Sequence, residues 1–410
     1  MKYLPQVKYS LTILLAIIMV GSFCTGLLAD TESQVQKAID KALGYYNFQG
    51  EYNNWESLGI SWAGADTRSK LRIKDNLQSP ADYAGALMGG IAGGAGGELV
   101  NSYIGTLQGM QDQEAGHFNI TVGEDVYNTL NHTIWAVIAL DFAAHNGFAV
   151  AYDREKAVDY ICSQQDASGG FNEGGWGVDV DSTAHALIAL AADKEEKAAV
   201  IDKALEYLRN QQLDSGAFDN WGESPDSTAA VLEALTALNM DPLAESWLKE
   251  ENNMVEALLS YQLDNGAFFS PWNPGEANAM TTWNALLALG DLVNNRSKYM
   301  SPMPPNNGWS LAIDGEESLA LGHDAALNLV LHNSGDNASE VLAVAALYNV
   351  ANEYMVTYIS MFTEIKAGSG FCLGCGFPIP DEGEYEVRFF VWDNWNNQQP
   401  LLSPSAIRLP

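Results

Sequence analysis

The sequence predicts a mainly α-helical repeat protein, about six helical hairpins followed by a small antiparallel β-sandwich. Three observations predict it. A short stretch recurs as Gln165-Asp-Ala-Ser-Gly169-Gly-Phe171, Gln212-Leu-Asp-Ser-Gly216-Ala-Phe218 and Gln262-Leu-Asp-Asn-Gly266-Ala-Phe268, with the glycines 47 and 50 residues apart. Each copy is followed by a tryptophan and then by a helix-forming segment rich in Ala and Leu. Beyond Met300 the periodicity changes from helical to alternating. A repeat of this length marks an architecture in which no single unit buries its own apolar face.

The elements follow in chain order. Lys2 and Lys8 precede an uncharged stretch from Ser10 to Ala29 with an apolar heart at Leu11 to Val20. This has the makeup of a secretory signal over residues 1–29, and left uncut it is also long enough to anchor in a bilayer. From Glu32, residues Ala38, Ala42, Leu43 and Tyr46 fall at helical spacing, and Trp55, Leu58, Ile60 and Trp62 begin a second apolar element. Ser79-Pro80-Ala-Asp82 is a helix start, with proline in the first turn and an acid beside it. The glycine run from Gly89 to Gly97 lacks the Lys-Ser/Thr of a phosphate loop and is expected to be a helix exit and turn.

Four repeat units come next, the first a degenerate one from Gln111 to Phe118. Their second halves align without gaps: Asn131-His-Thr133, Asp181-Ser-Thr183, Asp226-Ser-Thr228 and Met280-Thr-Thr282, each leading into a small-residue helix. Asp181 and Asp226 are expected to cap these helices by accepting from free N–H groups. The Ala/Leu helices are apolar on more than one face and are expected to be buried inner helices. Charged segments at Asp153 to Gln164, Lys194 to Gln211 and Pro242 to Tyr261 suit an outer layer. This division gives helices over 30–298, a Pro-rich linker over 299–307 and the sandwich over 308–410.

Charge and cysteine usage narrow the function. Twenty Lys+Arg against 52 Asp+Glu give a formal charge of -32, which repels a nucleic-acid backbone. Of four cysteines, Cys24 lies in the signal, Cys162 in a helical segment, and Cys372 and Cys375 form a close pair. In an exported chain that pair is a candidate loop disulfide. No full set of metal ligands is read, although the acidic loops at Asn172-Glu-Gly-Gly and Asp219-Asn-Trp-Gly-Glu223 offer oxygens to calcium.

The Gln-x-x-x-Gly-x-Phe unit followed by an Asp-Ser-Thr-Ala helix resembles the repeat of squalene and terpenoid cyclases and of the protein prenyltransferase beta subunit. The resemblance implies an α/α toroid, inner helices within outer ones. The helical domain of the cobalamin carriers transcobalamin and intrinsic factor is also similar, and likewise precedes a small β domain. The C-terminal piece, with Phe389-Phe-Val-Trp-Asp-Asn-Trp395, looks like an accessory sandwich of bacterial cell-surface proteins. The cyclase acid motif D-x-D-D-T-A is matched here by Asp179-Val-Asp181-Ser182-Thr183-Ala184, in which Ser182 replaces the last acid. The Asp, Cys and His that would hold a prenyltransferase zinc are not matched near the inner-helix starts.

These departures favour a non-catalytic, exported binding or surface protein whose toroid holds a small molecule or cell-surface polymer. No metal or cofactor is expected, and membrane contact only through an uncut signal. Ligand-binding candidates are Trp135, Asp179, Asp181, His185, Asp226 and Trp283. Gln165, Gly169, Phe171, Gln212, Gly216, Phe218, Gln262, Gly266 and Phe268 are expected to be architectural. Trp176, Trp221 and Trp272 are expected to pack on the glutamine and phenylalanine of their own repeats. Two alternatives stay open: a cyclase-like or polysaccharide-active enzyme with Asp181 as its acid, and corrinoid capture, with cobalamin as ligand.

Overall fold

The computed structural model describes residues 31–410 except 32, 69, 73, 75, 123–124, 173–176, 304–308, 316–317, 334–337, 353, 368, 397, 399 and 410. The expected signal with Cys24, the Trp176 loop and residues 304–307 of the expected Pro-rich linker lie outside the described residues. The described chain packs as two units, residues up to Gln49 with Val158–Ser297, and Gly50–Ala157 with Lys298 onward.

The first unit opens with helix α1 (33–47), which buries Val35, Ala38, Ile39, Ala42 and Tyr46 at the expected spacing. The second unit contains α2 (Asn54–Trp62), α3 (Pro80–Ala92) and α4 (Gly97–Gly109). Ser79 caps α3 and Pro80 takes its first position, while Asp82 bonds back to the Ser79 N–H, as the start signal predicts. Gly89 and Gly90 differ from expectation by lying inside α3 rather than at its exit. A Cβ on Gly89 would come 2.4 Å from the Asn54 carbonyl, so this glycine lets α2 and α3 approach at backbone distance.

A hairpin of β1 (Asn119–Val122) and β2 (Asp125–Asn128) then leads to α5 (Leu130–His145). In the first unit, α7 (Val180–Leu190), α9 (Pro225–Ala237) and α11 (Ala279–Asn294) are the Ala/Leu helices and are buried along most of their length. The charged helices between them are α6 (Arg154–Ser163), which straddles the unit boundary, α8 (Ala198–Gln211) and α10 (Met254–Leu259). The segment from Pro242 is helical over less of its length than its pattern suggests. A single 3-10 turn at Glu245–Trp247 buries Trp247, and a bridge between Lys249 and Asn252 delays the helix to Met254.

One joint repeats at each corner between a charged helix and an Ala/Leu helix. The glutamine amide donates to its own glycine's carbonyl and to a carbonyl of the next charged helix region. Gln111 Nε2 reaches Gly116 and Asp153, Gln165 reaches Gly169 and Val200, and Gln212 reaches Gly216 and Trp247, at 2.7–3.1 Å. Gln262 reaches Gly266 at 3.1 Å and Ala38 of α1 at 2.8 Å, tying the last repeat to the first helix. The glycines sit at φ of +83 to +94, each pressed on backbone, and a Cβ on Gly266 would stand 2.0 Å from the Lys41 carbonyl oxygen. Only glycine fits that combination. The phenylalanines are fully buried, and their N–H groups donate to the recurring threonines: Phe118 to Thr133, Phe171 to Thr183, Phe218 to Thr228 and Phe268 to Thr282.

The C-terminal strands form two antiparallel sheets. One has the order β11 (Pro400–Arg408), β10 (Tyr385–Trp392), β7 (Ser339–Asn349), β8 (Tyr354–Ile365); the other has β5 (Trp309–Asp314), β6 (Asp324–Asn333), β9 (Ser369–Pro378). Leu327, Leu329 and Leu331 of β6 and Val387, Phe389 and Val391 of β10 alternate into one shared core. The disulfide expectation is overturned here. Cys372 and Cys375 lie three apart on β9, so the pleat points Cys372 to solvent and Cys375 into the core, and both are free thiols. Burial pushes the Cys375 thiol up to about 11, with the neighbouring Cys372 adding to it.

Candidate functional site

The residues singled out for binding lie at or within two turns of the starts of Ala/Leu helices, Trp135 in the second unit and the other five in the first. Each of these helices is capped in the same way, by a polar side chain accepting from the third N–H of the helix: Thr129 from His132, Asp179 from Ser182, Ser224 from Ser227 and Asn278 from Thr281. The expected caps are therefore corrected by two residues. Asp181 and Asp226 are second helical residues, inside the first turn, where a carboxylate still meets the favourable end of the helix dipole. Asp179 is the cap of α7, and its second oxygen accepts from the Ser182 hydroxyl at 2.7 Å. Ser182, the departure from the cyclase motif, is thus a donor to the first acid of that motif.

Being second residues turns Asp181 and Asp226 sideways along the helix. Asp181 shares a face of α7 with His185 one turn on, both half-buried. Asp226 bridges to the next repeat. Its oxygens accept from Asn284 Nδ2 at 2.9 Å and from Thr281 Oγ1 at 3.1 Å, both on α11. Burial pushes the Asp226 carboxyl above the ordinary carboxylate range, and the bonds from Asn284 and Thr281 restrain the rise. Trp283 is half-buried beside Asn284 on the same helix. Trp135, in the other unit, packs edge-to-face with Trp55 at 5.0 Å and with Tyr299 at 6.5 Å. Beside it on α5, His132 is half-buried, and burial lowers its pKa against the pull of Asp82.

The loop tryptophans depart from expectation most. Trp221 and Trp272 do not pack on their repeats; each is 77% exposed. Trp221 sits at the tip of a tight hairpin, β3 (Phe218–Asp219) and β4 (Glu223–Ser224), with φ of +63. A bulky residue in that region is strained. The hairpin is pinned at its base, where Glu223 accepts from the Ser215 hydroxyl at 2.7 Å and from Tyr261 Oη at 2.8 Å. Burial and this carboxylate together hold the Tyr261 phenol well above its usual range. Trp272 occupies the corresponding loop one repeat on, between Phe268 and Asn278.

A cleft of about 580 Å³ opens elsewhere in the first unit, at the other ends of α9 and α11. Val35, Thr236, Met240, Leu243, Val255 and Leu292 are among its lining residues, and none of the six predicted ligand residues lines it. Among the described residues no three His, Cys, Asp or Glu side chains gather as a metal site requires. Sequence reasoning did not reach Thr281 and Asn284, although both are polar positions of the repeat adjoining Asp226. It also missed the cleft, part of whose lining, Asn239 to Leu243, comes from a loop after α9 that carries no repeat signal.

The repeated joints and caps define a class, the α/α toroid, followed by a C-terminal region of antiparallel sheets. Residues 123–298 match the family model of the prenyltransferase alpha-alpha toroid domain, so the helical region is prenyltransferase- and terpene-cyclase-like in fold. Among solved structures, the type II terpene cyclase MstE from Scytonema aligns at 14% identity and TM-score 0.46, over 64% of this chain and 99% of its own. The Candida albicans protein geranylgeranyltransferase-I complexed with GGPP aligns at 13% identity and TM-score 0.44, over 69% and 92%. A protein from Actinoplanes aligns at 14% identity and TM-score 0.45, over 62% and 98%. No curated protein matches the chain.

Proposed function

We propose that this is an exported, non-catalytic binding protein whose toroid presents a ligand or partner surface at the ends where its Ala/Leu helices begin. One observation carries the reading: Trp221 and Trp272 occupy equivalent loops of successive repeats and both stand in solvent. A single exposed indole is ordinary. Two at one repeat position, one of them in a strained conformation on a pinned hairpin, are features a fold keeps for contact. The carboxylates nearby serve the architecture, Asp179 as a cap and Asp226 as a tie between helices. The ligand is a small molecule or cell-surface polymer, no cofactor takes part, and residues 308–410 act as an accessory domain.

The test is a Trp221→Ala/Trp272→Ala variant of the full chain, compared with wild type for retention on intact cell envelopes from the source organism. Retention falling at least tenfold in the variant is expected; equal retention overturns the reading. A second reading, acid catalysis of a cyclase-like kind, is favoured by the raised Asp226 carboxyl, in place of the Asp181 of the sequence expectation. Turnover of a polyprenyl substrate by wild type, lost in Asp226→Asn, would put that reading first. No observation favours corrinoid capture.

A further inference from the structure

We propose that the outer face of the four-stranded sheet is a binding platform for an uncharged polysaccharide. It is a second site, independent of the toroid loops. The face opposite the sandwich core should be polar in a sheet that meets water on one side. Here it is aromatic. Leu342, Val344 and Ala346 of β7 form a floor that is at most 4% exposed, although they point away from the core. Rings pack against this floor, Phe390 and Trp392 from β10 and Tyr348 from β7 itself, and Tyr358 of β8 stands on the same face opposite Ala346.

The rings form a continuous run. Phe390 and Trp392 lie 4.9 Å apart and 31° from parallel, Trp392 meets Trp395 edge-to-face at 6.5 Å, and Trp395 meets Tyr358 at 6.2 Å. The outer two remain open, with Tyr358 and Trp395 each 47% exposed. Exposed indole and phenol rings on a rigid apolar floor offer flat faces to the C–H faces of sugar rings at little entropic cost.

Charge selects among occupants. The chain carries a formal charge of -32, so a second copy, a polyanion or an anionic lipid surface is repelled. Both guanidiniums described on this face are paired: Arg388 with Glu386, lying 4.2 Å over the Tyr348 ring, and Arg408 with Glu384 at 2.7 Å, which leaves their charges already balanced. A neutral polyhydroxylated chain meets no such repulsion, and Arg388, Glu386 and Tyr348 give it donors and acceptors beside the rings.

The experiment is native electrophoresis of the full chain through gels containing galactomannan, xyloglucan or mixed-linkage β-glucan, with polygalacturonate as an anionic control. At least one neutral polymer should retard the protein, with no retardation in polygalacturonate and no loss when salt is raised. Tyr358→Ala and Trp395→Ala should each weaken retardation at least tenfold, whereas Tyr358→Phe keeps the ring and should retain it. Trp221→Ala/Trp272→Ala should also retain it, so failure of the toroid reading and failure of this one give different patterns. The proposal is overturned if no neutral gel retards the chain, or if the Tyr358→Ala/Trp395→Ala protein is retarded like wild type. A concentration-dependent dimer lost in that double variant would assign the face to self-association instead.

Discussion

Each repeat of the toroid has two halves, and they differ in what the chain asks of them. The joint half is nearly invariant: glutamine clamps two carbonyls, glycine lets two backbones touch, and the buried phenylalanine donates to a buried threonine. The loop half between phenylalanine and helix start is free to differ, as a hairpin ahead of α5, a tight strained turn at Trp221 and a longer loop at Trp272. A fixed joint is what permits a variable loop. The glycine carbonyl and phenylalanine N–H groups that bound the loop are already satisfied by side chains four to fifteen positions away.

That contrast can be broken from either side. The largest effect is expected at Gly266→Ala, where the added methyl group meets the Lys41 carbonyl and the backbone remains at φ of +89. A loss of about 3 kcal/mol or more should appear as a lower urea midpoint. Gly222→Ala, with φ of +117 and nothing within 4 Å, carries only the conformational term and should cost about 1 kcal/mol. Gln262→Ala falls between these two, because it removes the donor that serves both Ala38 and Gly266. About 1–3 kcal/mol is expected, with faster amide exchange across α1 than elsewhere in the first unit.

Asp226→Asn is expected to be milder and to depend on pH. A carboxyl raised in the folded state favours folding below its unfolded pKa, and that benefit fades as pH rises through the raised value. Asparagine lacks the titration while keeping an oxygen for Thr281. The variant's Tm should therefore fall less than that of wild type as pH rises through the acid range. The smallest stability effect belongs to Trp221→Ala and Trp272→Ala, within about 0.5 kcal/mol of wild type for each. Their consequence should lie in binding alone.

Much of the helical architecture was legible because the joint is local. Three letters at fixed spacing, a recurring threonine and the Ser79-Pro80 start report backbone requirements that a side chain a few residues away must meet. The caps were misplaced by two because Asp181 and Asp226 stand out as acids. Pro225 held the better clue, since a proline favours the first helical position and so makes Ser224 the cap. The Cys372–Cys375 pair looked like a loop feature until the strand register separated its two faces. Exposure of Trp221 was not legible at all. Whether an indole turns toward its own repeat or away depends on the φ of one turn residue, and the sequence names the residue without the angle.

The bond from Gln262 to Ala38 has a consequence for how the molecule is made. Helix α1 is synthesised early, yet its joint partner lies 224 positions downstream. A nascent chain must carry the α1 side of this joint uncovered until nearly the whole helical region has emerged, and then close a very long loop to cover it. A chain cut short before Gln262 leaves that side of α1 permanently open. Only completion of the last repeat supplies the donor that fills this joint.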